Sequence, residues 1–238
     1  LPKYNSKINL PQLVTLTNNN VNFKEKNNIY FNYAVTEKAD GERYLLYIYK
    51  KKGYLINSNY EIINTGINFN TDKEYIFDGE YVTKNRNDED IKLFLIFDIY
   101  FIKNENIINN IYLLNFIEKN SKNKIINYKC RYGYLNDFEN EVLVNIYSED
   151  MVIRIKEYKF GMEKSINEKG SEKYLIDCRV ILQKSSEILK KINEKYYEYT
   201  TDGLVYLPIN MPVNGKIGKD GKYYTNRLGG RWDANFKW

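Results

Sequence analysis

The sequence predicts an α+β domain built mainly from antiparallel strands, and three observations point there. First, the runs IYFNYAVTE, RYLLYIYKKKGYLIN, EYIFDGEYV and KLFLIFDIYFI are rich in β-branched and aromatic residues and are separated by DG, KKG, NTG and NRND turns. Second, apolar residues at helical spacing come in separate stretches later in the chain, so helices are interspersed with strands instead of alternating with them. Third, no internal repeat or convincing linker divides the 238 residues, of which 43% are hydrophobic, enough to bury a sizeable core.

Taken in order, residues 1–28 are polar, rich in Asn and carry Pro2 and Pro11, so they read as a lead-in from a preceding domain that lies over the domain proper, residues 29–238. The strand runs that follow form a meander whose best-buried member lies near Phe94–Phe101, a nearly continuous apolar stretch. Ile107, Ile108, Ile111, Leu114 and Ile117 recur at helical spacing and predict a helix. A second helix is expected from about Leu135 to Ile146 and a third from about Tyr174 to Ile192. Between them MVIRIKEYKF alternates like a strand carrying Arg154, Lys156 and Lys159. GLVYLP is a further short strand, and NGKIGKDGKYY reads as a hairpin or loop.

Composition narrows the chemistry. The chain has no histidine, which removes the usual general base, the Ser-His-Asp and Cys-His pairs and most zinc sites. Any reaction must use Lys, Asp, Glu, Arg or Tyr. Lys and Arg outnumber Asp and Glu by 36 to 31, a net charge of +5 that mildly favours an anionic partner such as a nucleotide or nucleic acid. Cys130 and Cys178 lie in no partner motif and suit a reducing compartment. There is no apolar run long enough to span a membrane and no cleavable leader. Because the chain begins at Leu1, it reads as a piece of something longer.

Five short stations carry polar residues that composition alone does not explain. In TEKADGERYL, Lys38 closes one apolar run and Asp40-Gly41 turns the chain towards Arg43. A hairpin with surface charges explains the turn. A lysine nucleophile beside a fixed guanidinium donor explains the charges as well. Asp78-Gly79-Glu80 reads either as another turn or as hard oxygen ligands for a metal-linked phosphate or a ribose hydroxyl. Asp98 interrupts a buried apolar strand after Phe97, so it needs an Arg, Lys or metal partner. Asp202 stands at the mouth of the strand GLVYLP, and Lys237 lies between Phe236 and Trp238.

In order and spacing, KADGER, DGEYV, LIFDIYF, IRIKEYKF, TDGLVY and FKW resemble the motif series of the covalent nucleotidyltransferases, the superfamily of mRNA capping guanylyltransferases and ATP-dependent DNA and RNA ligases. The resemblance runs from about Tyr33 to Trp238. Asp202, where DNA ligases usually carry Glu, and the FKW ending look like the capping branch. VTLTNNN, YAVTEKADGERYL and RWDANFKW are similar to the multifunctional capping enzymes of giant cytoplasmic DNA viruses.

The resemblance implies the nucleotidyltransferase (ATP-grasp-like) fold, with antiparallel sheets flanked by helices around a nucleotide cleft. It further implies that Lys38 attacks the α-phosphate of GTP and that GMP then passes to the 5′-diphosphate end of RNA. Asp40 would orient Lys38, Arg43 and Glu80 would contact the ribose, and Phe97 would stack on the base. Glu37 and Lys156 or Lys159 would touch the nucleotide, Lys237 would meet the α-phosphate, and Glu80 and Asp202 would hold Mg2+ or Mn2+. A linked triphosphatase domain, a methyltransferase domain and a cytoplasmic or virion location are implied too. The family's final motif has a second lysine after the tryptophan, and an OB-fold domain normally follows; residues 1–238 hold neither, so weak GMP transfer is expected. A ligase adenylation domain using ATP and a catalytically silent RNA-binding relative are the alternatives.

Overall fold

The computed structural model describes residues 8–25, 28–113, 130–146, 148, 150–166, 172–175, 178–217, 223–225 and 230–238. In chain order β1 (Pro11–Thr15), β2 (Tyr33–Ala39), β3 (Glu42–Tyr49), β4 (Lys52–Asn57), β5 (Ile62–Asn68), β6 (Tyr75–Lys84), β7 (Asp90–Ile102) and β8 (Glu105–Asn106) precede helix α1 (Arg131–Glu141). β9 (Val152–Ile155), β10 (Lys159–Phe160), β11 (Glu163–Ile166) and β12 (Glu172–Leu175) lead to helix α2 (Cys178–Asn193). β13 (Thr201–Pro208), β14 (Gly215–Ile217), β15 (Tyr223–Thr225) and β16 (Gly230–Lys237) complete the chain.

Two sheets carry the architecture. The larger has the order β5-β4-β3-β6-β7-β8, with β9 added parallel to β7; the smaller has the order β1-β16-β13-β2-β10. Alternation explains how the smaller sheet is used. On one face Tyr33, Val35, Leu204, Tyr206 and Phe236 pack with Ile181 and Ile188 of α2, whose apolar positions recur at helical spacing. The other face carries Ala34 and Leu207 into the main core with Leu46, Phe77, Phe94 and Ile96 of the larger sheet. Against the larger sheet, Phe138 of α1 packs tilted on Phe77, 4.4 Å from ring centroid to ring centroid.

Four expectations change. The lead-in boundary at residue 28 does not separate the N-terminal residues from the domain. Pro11–Thr15 is a strand of the smaller sheet, paired parallel with β16, so Val14 is buried and Leu13 half-buried where a polar context hid them. The helix expected over 107–117 is absent from its described part, 107–113. There the backbone bonds to distant chain: Ile107 N–H to Tyr100 O, Leu113 N–H to Ile209 O, and the carbonyls of Ile111 and Tyr112 to the N–H groups of Arg131 and Tyr132. Tertiary partners take the groups a helix would have paired with itself; Leu114–Ile117 lie outside the described residues. The helix expected from Leu135 begins at Arg131 instead, capped by the Cys130 thiol, which accepts from Gly133 N–H. Tyr174, expected in the third helix, lies on β12. Among the described residues no helix is long and apolar enough to cross a membrane.

Candidate active site

Asp40-Gly41 is not a hairpin turn. β2 pairs with β13 and β10 in the smaller sheet, whereas β3 pairs with β4 and β6 in the larger. The turn therefore carries the chain from one sheet to the other. Gly41 is needed because a Cβ there would stand 2.7 Å from the Tyr81 carbonyl oxygen. A cleft of roughly 740 Å³, counting its open mouth, lies between the two sheets. Lys38, Arg43, Glu80, Phe97 and Lys156 all line it, with Pro11 and Leu13 from β1 and Val205, Leu207 and Asn235 from β13 and β16.

Asp78-Gly79-Glu80 is likewise no turn but the middle of β6, where alternation and a register shift between Asp78 and Gly79 bring both carboxylates to the cleft. Asp78 is fully buried. It accepts from Arg43 Nε at 2.9 Å, from Arg43 Nη2 and from the Tyr100 hydroxyl, while Arg43 Nη1 donates to the Pro11 carbonyl. Arg43 is thus held in one plane, its guanidinium 5.5 Å from the centre of the Phe97 ring. Burial pushes the Glu80 carboxyl up; Lys156, Arg43 and Lys38 pull in the other direction. The partner required by Asp98 is Arg131, which grips it through Nε at 2.7 Å and Nη2 at 3.1 Å.

At the mouth, Lys38 Nζ donates to Asp202 Oδ2 at 2.8 Å. That bond and the lysine's charge hold the Asp202 carboxyl below its usual range, and Lys237 adds to the effect. Lys237 and Asp202 stand at the rim and do not line the cleft itself. Lys38 is a quarter exposed, so its amine can be reached from the mouth.

Three expected contacts are redirected. Asp40 is exposed and its backbone N–H bonds to Thr200; the carboxylate on Lys38 belongs to Asp202. Glu37 points to the opposite face of β2 from Lys38 and is buried, its oxygens taken by Tyr199 and Thr36 hydroxyls at 2.8 Å and by Lys156 Nζ at 3.1 Å. It has no oxygen free for a nucleotide and instead fixes Lys156, whose Nζ also donates to the Glu37 carbonyl at 2.6 Å. Of the two candidate lysines, Lys156 faces the cleft, while Lys159 is outside it and pairs with Glu157. Sequence reasoning missed Tyr100, Arg131, Asn235 and the strand carrying Pro11, and gave Asp78 no role separate from Glu80. The one local signal was Asp78 itself, a carboxylate inside an apolar strand like Asp98.

Two sheets with a lysine at the mouth of the cleft between them, and an arginine and a carboxylate inside, form the nucleotidyltransferase fold. A solved structure of mycobacterial DNA ligase D complexed with ATP and MES matches the fold at a TM-score of 0.50 and 12% identity, covering 96% of this chain and 58% of that one. That likeness shows the fold. Within that class the chain belongs to the mRNA capping enzyme catalytic domain family, which matches residues 10–169. A probable mRNA-capping enzyme of Acanthamoeba polyphaga mimivirus is 28% identical over 252 residues, covering 97% of this chain and 21% of that protein. The chain spans about a fifth of that relative's length.

Proposed function

We propose that this domain is the guanylyltransferase of an mRNA capping enzyme. The observation that carries the reading is the Lys38 amine, reachable at the cleft mouth, joined to Asp202 and close to a pocket lined by Arg43, Glu80, Phe97 and Lys156. In the first step the unprotonated Lys38 Nζ attacks the α-phosphorus of GTP, the bond to the bridging oxygen breaks, pyrophosphate leaves, and the new P–N nitrogen gives up a proton to the departing pyrophosphate or to water. In the second, a terminal oxygen of a 5′-diphosphate RNA attacks the same phosphorus, the P–N bond breaks, and the lysine recovers its electron pair and takes a proton.

The residues present suit each demand of that chemistry. Phosphoryl transfer is mainly positioning and neutralisation of developing charge, which Arg43, Lys156 and Lys237 can supply. Phe97 offers a ring face for the base and Glu80 an acceptor for the ribose. Asp202 holds Lys38 until phosphate arrives to compete for the ammonium.

A divalent cation such as Mg2+ or Mn2+ fits the donors. Glu80 and Asp202 supply hard oxygen ligands, and among the described residues no group of three or more His, Cys, Asp or Glu makes a closed cage. One or two carboxylates shared with substrate phosphates is how magnesium is commonly held, and its role is to neutralise phosphate charge. Since the chain spans about a fifth of the viral relative, we also propose linked domains in the full protein, a triphosphatase and a methyltransferase, which make and finish the same RNA end.

The test is covalent labelling with α-labelled GTP or ATP and magnesium. GTP-dependent label that disappears in Lys38→Ala supports the proposal. Label from ATP alone would reassign the domain to the ligases, and no label from either would make it a silent relative.

A further inference from the structure

Asn235 carries a signal that none of the motifs accounts for. It lines the cleft, only 9% of it is exposed, and its Oδ1 is buried without a hydrogen-bond partner. A buried amide oxygen left unpaired is costly, so such an atom in a ligand cleft marks a contact the ligand completes.

The other acceptors of the cleft are already occupied or differently placed. Asp78 is taken by Arg43 and Tyr100, and Asp98 by Arg131. The Thr36 hydroxyl is turned to Glu37 and the Glu157 carbonyl, both within reach of its one proton. Glu80 has its place opposite Arg43 on neighbouring strands, where the ribose hydroxyls are expected. Asn235 offers a neutral acceptor on the other wall.

Register gives its depth. Lys237 is paired with Val205, and one step further along that register Asn235 and Leu207 both line the cleft. Two residues of strand separate Asn235 from Lys237 on the same face by about 7 Å. With the α-phosphate at the rim beside Lys38, Asp202 and Lys237, that distance reaches the glycosidic bond and the sugar-proximal edge of a purine. Guanine carries its exocyclic 2-amino group on that edge; adenine and hypoxanthine carry only hydrogen there.

We propose that Asn235 is a specificity-determining residue whose Oδ1 accepts a hydrogen bond from the 2-amino group of guanine. The inference rests on the guanylyltransferase reading and names how its base is chosen. An acceptor built for an N–H group discriminates against the analogue that lacks it, because the acceptor is then left buried and unpaired.

The experiment compares rates of covalent labelling by GTP and by inosine triphosphate, which differs only in lacking the 2-amino group. Both are used at limiting concentration, so that their ratio cancels the absolute rate. Wild type is expected to favour GTP about tenfold or more, an effect of one hydrogen bond. In Asn235→Leu and Asn235→Ala the ratio should fall to about one, while Asn235→Asp, which keeps an acceptor, should retain a preference for GTP. Equal labelling of the wild type by the two nucleotides overturns the inference whatever the variants do. So does a GTP preference that survives in Asn235→Leu or Asn235→Ala. Failure of the underlying reading looks different: wild type then takes no label from GTP or inosine triphosphate, or takes it from ATP alone.

Discussion

Replacing Asp78 with Asn tests whether the cleft's arginine is held as the structure shows. The carboxylate is fully buried and accepts three bonds, two from Arg43 and one from the Tyr100 hydroxyl. Asn keeps the shape but loses the charge, and its NH2 group meets a guanidinium N–H in either orientation, Nε in one and Nη2 in the other. Removing one partner of a buried ion pair costs about 3–5 kcal/mol. Arg43 is a quarter exposed and can recover some solvation, so the lower end, about 3 kcal/mol, applies. For a chain of this size that corresponds to a fall in Tm of about 6–12 °C. Thermal unfolding followed by circular dichroism reads the shift. The Asp78→Asn, Arg43→Met double variant closes a cycle and should recover about 2 kcal/mol relative to the sum of the singles, because it removes both ends of the pair. A shift below about 2 °C, or strict additivity in the cycle, would refute the clamp.

Other perturbations reach different parts of the site. Gly203 has a φ of +93°, and a Cβ there would collide with the Trp238 carbonyl, whose oxygen accepts from Leu204 N–H at 2.9 Å. Gly203→Ala should therefore displace the β13–β16 end that carries Asp202 and Lys237, cost about 3 kcal/mol by strain and lost pairing, and abolish labelling. An unchanged Tm with full labelling would show that this end tolerates a side chain. Burial raises the Glu80 carboxyl above 4.5, so folding takes up a proton between that value and its folded value. Its ionisation then costs stability as pH rises through that window. Relative to wild type, Glu80→Gln should gain stability with rising pH and show no gain below the window. Urea unfolding at several pH values measures this, and a pH-independent difference would contradict the assigned burial.

The sequence singled out residues that gather in one cleft and misjudged the scaffolding around them, and the difference has a physical cause. Lys38, Arg43, Glu80, Phe97 and Lys156 were each conspicuous as polar or aromatic residues at the ends or middles of apolar runs, and the structure brings all five to one cleft. Asp-Gly chemistry, however, says only that the backbone reverses. Whether the next strand pairs with the last or crosses to another sheet is decided by distant partners, here β13 for β2 and β6 for β3. For the same reason 107–113 carried helical spacing but no helix: its hydrogen-bond partners lie near residues 100, 131 and 209. Asp40, Glu37 and Lys159 lie outside the cleft lining for a simpler reason, since proximity to a motif in sequence does not fix where a side chain points.

Register shows why the cleft needs two arginines. Asp78 and Asp98 are cross-strand partners in β6 and β7, and both are buried. Like charges directly opposite one another destabilise a sheet, and each costs several kcal/mol or so without a counter-ion. The two counter-ions come from different places: Arg43 from β3, Arg131 from the first turn of α1. Arg131 is wholly buried, with further bonds to the carbonyls of Asn110 and Met211, so its donors are committed to the fold. Arg43 stays partly open to the cleft and has five N–H donors, of which Asp78 and Pro11 use three. The same demand for neutralisation thus yields one structural arginine and one available to a ligand. Exposure, not charge or motif, separates them.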